Sequence, residues 1–378
     1  MPVPTSTTEI SHENSRAAIM KGIKSTRDQT KEYKINTDVD TDIITLSRFI
    51  IESQKMHSNA RGDFSQVLNA LQFAFKFISQ TIRKSELINL MGITGDINST
   101  GDQQKKLDVL GDEIFINAMK SSGIIKCIVS EEQEDIIILE GNEAKYAVCC
   151  DPIDGSSNLD AGVSVGTIVS IFKMIPELED GTNHDHVLRY GWEMSGACYA
   201  MYGASTHLML TMGEGIDGFT LDTNLGEFIL TSPNLKIPLN RPIYSINEGN
   251  SYFWTPQIKS FIEALKQPQH DDDESTDKET APYTARYVGS MVADVHRTFL
   301  YGGIFSYPSD TNNPNGKLRL LYEAFPMAML MEQAGGLAID DQGRRILDLK
   351  PSHIHDKTSI WIGSRNEVNK YLKHIGKL

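Results

Sequence analysis

The sequence predicts an α/β fold in two packed lobes, on three observations. The chain has 378 residues, more than one typical domain holds, and 40% of them are hydrophobic, ordinary for a protein with a substantial core. Helical periodicity over residues 43–85 gives way to short apolar, β-rich segments. A turn-rich break at Ser232-Pro233-Asn234 is followed by further strand-like and helix-like runs.

Residues 1–40 carry acids such as Glu9, Glu13, Asp28 and Glu32 and lack an apolar core, so the expectation is a flexible tail rather than a transit or signal peptide. From Asp42, the expected helix cap, Ile43, Leu46, Phe49 and Ile50 recur at helical spacing. A second helix is expected over about residues 64–85, where Val67, Leu68, Leu71, Phe75, Ile78 and Ile82 form one apolar stripe. Residues 124–129, 136–139, 146–150 and 163–172 read as strands bounded by Gly, Asn and acidic turns. Beyond the break, residues 243–246, 283–289 and 361–363 again read as strands. The expected partition is therefore a tail (1–40), a first domain (41–234) and a second domain (235–378). Within residues 267–282 the acidic run HDDDESTDKE has no apolar face and is expected to be a disordered surface loop, not a cation site.

A formal net charge of -14 argues against a general binder of nucleic acid or anionic membrane, which needs a basic face. No run of about 18 apolar residues is available to span a bilayer. An anionic substrate must meet a local basic pocket or a bound cation. Cys127, Cys149, Cys150 and Cys198 form no CxxC pair and have no His at zinc spacing, so buried reduced thiols in a cytosolic protein are expected.

The chemically informative stretch is YAVCCDPIDGSSNLD, an apolar strand closing on Asp151 and Asp154 and followed by Gly155, Ser156 and Ser157. Carboxylate oxygens suit a hard cation such as Mg²⁺, and two such ions about 3.5–4 Å apart can clamp a phosphoryl displacement. Pro152 is expected to fix the turn that brings both aspartates to one side. Gly155 and the serines then lead into a helix start whose free N–H groups can seat a phosphate. Alone, Asp-Pro-x-Asp-Gly also reads as a surface turn. Glu131 and Glu132, at the end of the strand over 124–129, weigh against that, since they add ligands and a general base. A parallel strand pairing would bring the two acidic clusters together.

An acidic pair upstream of DPIDGSSN resembles the lithium-sensitive metal-dependent phosphatases. GDQQKKLDVL, VSEE, INEGN, ARYVGSMVADVHRT, NGKLRLLYE and EQAGG, spread from about Asp42 to the C-terminus, are similar to the fructose-1,6-bisphosphatase family, fungal members above all. The resemblance implies a layered αβαβα fold and removal of the sugar's 1-phosphate by metal-activated water in gluconeogenesis. It also implies Mg²⁺, with Mn²⁺ as an alternative, a cytoplasmic homotetramer, and allosteric inhibition by AMP.

Carried over by residue, the resemblance makes Glu131, Glu132, Asp151, Asp154, Glu323 and the carbonyl of Ile153 metal ligands. Asp102 and Asp108 fall on a mobile loop, and Asp108 with Glu132 activates the attacking water. Asp154, Gly155, Ser156 and Ser157 would meet the reacting phosphate. Asn247, Arg286, Tyr287, Tyr307 and Lys317 would hold the 6-phosphate and sugar, with Met291 lining the sugar site and Arg286 reaching a neighbouring subunit. Arg61, Gly62, Asp63, Phe64, Ser65, Lys145, Tyr146, Lys173 and Met212 would form the AMP site. The chain departs from the family pattern at Asn250, where an aromatic residue is common, and at Arg61, Lys173 and Ser195, where threonine, arginine and valine are common. A phosphatase for sedoheptulose 1,7-bisphosphate or an inositol phosphate is the alternative enzyme. A silent regulatory relative would be expected to lose a ligand, and none is lost.

Overall fold

Residues 42–85, 93–97, 103–139, 144–175, 183–270 and 279–378 are described in the computed structural model. The segment 1–40, Gly101, Asp102 and the core of the acidic run, 271–278, lie outside the described residues.

Helix α1 (Leu46–Met56) starts one turn later than its apolar spacing predicts. Thr45, not Asp42, is the cap: its hydroxyl accepts from the Arg48 N–H at 3.2 Å, while Asp42 pairs with the Arg48 guanidinium at 2.7 Å. The cause is tertiary. Thr45 bridges Ile229, and the Ile44 carbonyl accepts from Leu230 N–H at 2.8 Å, so this stretch is tied to a sheet before the helix can begin. Helix α2 (Asp63–Lys84) buries Val67, Leu68, Leu71, Phe75 and Ile78, and α3 (Lys106–Ser121) buries Leu107, Ile114, Phe115, Ala118 and Met119.

These three helices cover one face of an eight-stranded sheet. In chain order its strands are β1 (Ile125–Ser130), β2 (Ile137–Ile138), β3 (Tyr146–Asp154), β4 (Val165–Lys173), β5 (Met194–Tyr202), β6 (Thr206–Thr211), β7 (Ile216–Asp222) and β8 (Glu227–Ser232), and in space they run β8-β7-β6-β5-β4-β3-β1-β2. Only β1 and β3 pair in parallel, with Ser130 beside Cys150. Along β3 the side chains alternate between faces: Tyr146, Val148 and Cys150 join the core under α1–α3, while Ala147 and Cys149 join the core on the other side. All four cysteines are free and buried.

The second face packs on α5 (Met291–Tyr301) and α6 (Phe325–Gln333). Beyond them lies a five-stranded sheet of β9 (Ile243–Ser245), β10 (Thr284–Ala285), β11 (Ile304–Tyr307), β12 (Leu337–Ile339) and β13 (Ile360–Gly363), ordered β10-β9-β11-β13-β12. A third core, built on Phe261, Trp361 and Tyr371, joins this sheet to α4 (Pro256–Leu265) and α7 (Arg365–His374). The layers therefore run helix, sheet, helix, sheet, helix.

The strand predicted over 283–289 shrinks to Thr284–Ala285. Beyond it the Val288 and Gly289 N–H groups donate at 3.0 Å to the carboxylate of Asp294 rather than to a neighbouring strand. No helix among the described residues is long and apolar enough to cross a membrane.

Candidate active site

Because β1 and β3 run parallel, their C-terminal ends lie side by side, and Glu131 N–H donates to the Cys150 carbonyl at 3.1 Å. Glu131 and Glu132 follow β1 directly. Contrary to the expectation of a proline-fixed turn, β3 continues past Asp151: pairing with β4 resumes at Asp154 opposite Gly166, across a register shift that contains Pro152. Such a bulge re-aims side chains without ending the strand. The Thr167 hydroxyl donates to the Pro152 carbonyl at 2.7 Å, and Ile153 N–H donates to the Asp151 carboxylate at 3.1 Å. Gly155 then takes φ +78°, and a short 3₁₀ turn, Ser156–Ala161, follows.

A third element supplies Glu323, in the π-type turn Leu320–Ala324 ahead of α6. Asp151, Asp154 and Glu323 offer carboxylate oxygens that all lie within 4.8 Å of one another, and all three are buried. Burial, then the charge of Glu323, pushes Asp154 up to about 7, against the Val292 N–H (2.8 Å) and Ser290 hydroxyl (3.4 Å) that favour its ionised form. Burial likewise pushes Glu323 up to about 7; Arg319 opposes this and Glu131 adds to it. Asp151 is pushed well above the carboxylate range by burial and then by Glu131, Asp154 and Glu323. Three buried acids at this spacing favour their charged forms only beside a compensating cation. An all-oxygen donor set fits a hard divalent ion.

These acids floor a cavity of about 500 Å³. Asp108, expected on a mobile loop, lies instead in the first turn of α3, 4% exposed, and faces the cavity together with Glu131, Glu132 and the wall residue Ile153. Gly155, Ser156 and Ser157 form the next stretch of wall. Tyr307 at the end of β11, Met291 at the start of α5, and Asn247, Tyr287 and Lys317 from loops line the rest of it. Asn247 also accepts from Gly249 N–H at 3.1 Å, which holds its own turn. Arg286 is not brought to this cavity: it is exposed and donates to the adjacent Ala285 carbonyl at 2.9 Å. Asp102 lies outside the described residues.

Sequence reasoning missed Arg319 and Asp294. The Arg319 guanidinium is buried, 2.5 Å from Glu131 and 3.7 Å from Glu323, and these acids raise its pKa although burial alone would lower it. The usable signal was its place four residues before Glu323, inside the same NGKLRLLYE run that yielded Lys317. Asp294 accepts from Ser245, Val288, Gly289 and Arg297, anchoring the loop that bears Tyr287.

A separate group of residues meets at the start of α2. Gly62 caps it at φ 88°, Lys145 pairs with Asp63 at 2.8 Å, and the Phe64 and Tyr146 rings lie 5.5 Å apart. Ser65 donates to Gln54 at 2.9 Å. Exposed Lys173 sits opposite Tyr146 in the β3–β4 register, Met212 follows β6 half-buried, and Arg61 is exposed. Half-buried Ser195 lies on β5 beside Gly196, whose added Cβ would meet the Phe64 ring at 2.9 Å. Tyr146 opens the strand that Asp154 closes, so roughly 25 Å separates this group from the acidic cavity.

A family model described as Fructose-1-6-bisphosphatase, N-terminal domain, matches residues 44–233, and its C-terminal counterpart matches residues 237–375. A fructose-1,6-bisphosphatase of Saccharomyces cerevisiae is 68% identical over 351 residues, covering 93% of this chain and 97% of the relative. A cytosolic fructose-1,6-bisphosphatase of Brassica napus is 48% identical, covering 88% and 95%. The crystal structure of Leishmania major fructose-1,6-bisphosphatase in holo form aligns with a TM-score of 0.80 at 44% identity, covering 88% of this chain and 98% of that one.

Proposed function

The chain belongs to the fructose-1,6-bisphosphatase family, and on that footing we propose that it hydrolyses D-fructose 1,6-bisphosphate to fructose 6-phosphate and phosphate in gluconeogenesis. The observation that carries the reading is the convergence of Asp151, Asp154 and Glu323, from two elements, on one cavity that also receives Lys317 and two phenols. Asp151, Asp154, Glu323, Glu131, Glu132 and the Ile153 carbonyl would hold divalent cations, Mg²⁺ or Mn²⁺. When bound, such ions supply charge neutralisation at the phosphoryl group and make nearby water more acidic.

The residues of the chain do the rest. Asp108 and Glu132 accept the proton of the attacking water. At the α5 N-terminus the Val292 N–H donates to Asp154 and favours its ionised form. Backbone N–H groups at Gly155, Ser156 and Ser157 meet the 1-phosphate. Lys317, Tyr287, Tyr307 and Asn247 receive the 6-phosphate and sugar against Met291. In this reading the first domain spans 41–234 and the second 235–378. The enzyme works as a cytoplasmic homotetramer in which Arg286 serves a neighbouring site, and AMP inhibits it from the residues around the α2 start.

The test is phosphate release from fructose 1,6-bisphosphate, sedoheptulose 1,7-bisphosphate and inositol monophosphates, with and without a chelator. Chelator-sensitive preference for the fructose ester is expected. Equal or faster release from the other esters, or full activity after exhaustive chelation, overturns the reading.

A further inference from the structure

The turn that presents Glu131 and Glu132 is held from both flanks by side chains that do not line the cavity. On one flank, Asp112 of α3, 2% exposed, accepts from the Ser130 hydroxyl at 2.6 Å and the Gln133 amide at 2.5 Å. Ser130 Oγ in turn accepts from Glu132 N–H at 3.3 Å. On the other flank, His355 Nε2 lies 3.1 Å from the Gln133 carbonyl and 3.3 Å from the Glu134 carbonyl, and Nδ1 lies 2.7 Å from the Tyr322 hydroxyl. Carbonyl oxygens only accept, so Nε2 carries the proton, and in the neutral ring Nδ1 accepts from Tyr322. Burial, which lowers the His355 pKa, favours that neutral form. Tyr322 is fully buried and immediately precedes Glu323.

We infer that the Tyr322–His355 bridge, opposed by Asp112, sets the spacing between the Glu131–Glu132 turn and Glu323, and so positions the cation-holding carboxylates contributed by the two halves of the chain. Neither His355 nor Tyr322 need touch substrate. Each acts through the backbone of the turn it grips, and ligand-orienting contacts of this kind typically affect metal affinity by about 10–100-fold when removed. The inference rests on the reading that these carboxylates hold divalent ions.

The experiment titrates the purified full-length chain with Mn²⁺ alone, following free Mn²⁺ by electron paramagnetic resonance, and separately with fructose 6-phosphate. Wild type, Tyr322→Phe, His355→Ala and His355→Gln are compared, with thermal unfolding as the check on folding. Tyr322→Phe and His355→Ala are expected to bind Mn²⁺ about tenfold more weakly with unchanged fructose 6-phosphate affinity. His355→Gln, whose amide nitrogen can still donate to the Gln133 carbonyl, recovers most of the loss. Wild-type Mn²⁺ affinity in folded Tyr322→Phe and His355→Ala overturns the positioning role, as does an equal loss of both ligands in all three variants. A wild-type chain that binds no Mn²⁺ instead overturns the cation reading beneath it.

Discussion

Asp108 and Glu132 face one cavity from α3 and from the turn after β1. If they share the water's proton, Asp108→Asn and Glu132→Gln each lower kcat by about 10²–10⁴-fold with a smaller change in KM; steady-state kinetics on folded variants would show near-normal kcat if the assignment is wrong. The acids also set a pH dependence. Asp154 and Glu323 titrate near 7 in the folded chain, far above ordinary carboxylates, so the metal-free fold binds more protons than the unfolded chain from about pH 4 to 7. Stability of the chelated protein should therefore fall as pH rises through that window, and Asp151, raised by burial and by the same acids, adds to the fall. Added Mg²⁺ should protect most at the upper end, where its ligands are ionised. Thermal unfolding across pH with chelator or Mg²⁺ checks this; identical pH profiles would contradict it. The acids Glu131, Glu132, Asp151 and Asp154 were legible as pairs at the ends of apolar strands. Arg319 was not, because an arginine beside leucines reads equally well as a solvated charge until packing closes over it.

At the scale of elements, the segment carrying Lys317 depends on a glycine. Gly316 has φ +85°, and an added Cβ would lie 2.1 Å from the Thr358 carbonyl carbon and 2.2 Å from Ser359 N. Backbone cannot yield there as a flexible side chain would, so Gly316→Ala should destabilise by at least about 1–3 kcal/mol and raise KM for the bisphosphate through the displaced Lys317. Urea unfolding and kinetics test this, and wild-type values for both would refute it. At the α2 start, the Lys145–Asp63 pair is partly exposed and gives up little when Lys145 turns to a phosphate. AMP should therefore inhibit, and Lys145→Ala and Tyr146→Phe should weaken the inhibition. Turnover unchanged at millimolar AMP, or variants inhibited as well as wild type, would remove the site. The helix α2 and strands β1, β3 and β4 follow their apolar periodicity closely. The start of α1 and the shortness of β10 do not, since a bridge to Ile229 and the carboxylate of Asp294 outbid the local pattern.

For the whole molecule, one core runs from β1 and β3 through α5 and α6 to β11 and β13, so the two halves share apolar packing. Arg286 is exposed and does not line the cavity of its own chain. Arg286→Ala should raise KM for fructose 1,6-bisphosphate severalfold while leaving Mn²⁺ affinity unchanged; an active monomer by light scattering at assay concentration would exclude the shared site. The sequence by itself determined the class of elements, the apolar strand β3 and the presence of paired acids beside a Gly-Ser-Ser turn. These follow from short-range spacing, because period two and period 3.6 are properties of the local backbone. Only the tertiary structure decided that β3 bulges through Pro152, that Glu323 closes on Asp151 and Asp154, and that Tyr322 and His355 grip the Glu131–Glu132 turn. Those contacts join residues far apart along the chain, and no local pattern encodes them; they arise when five layers pack and the buried acids must find partners.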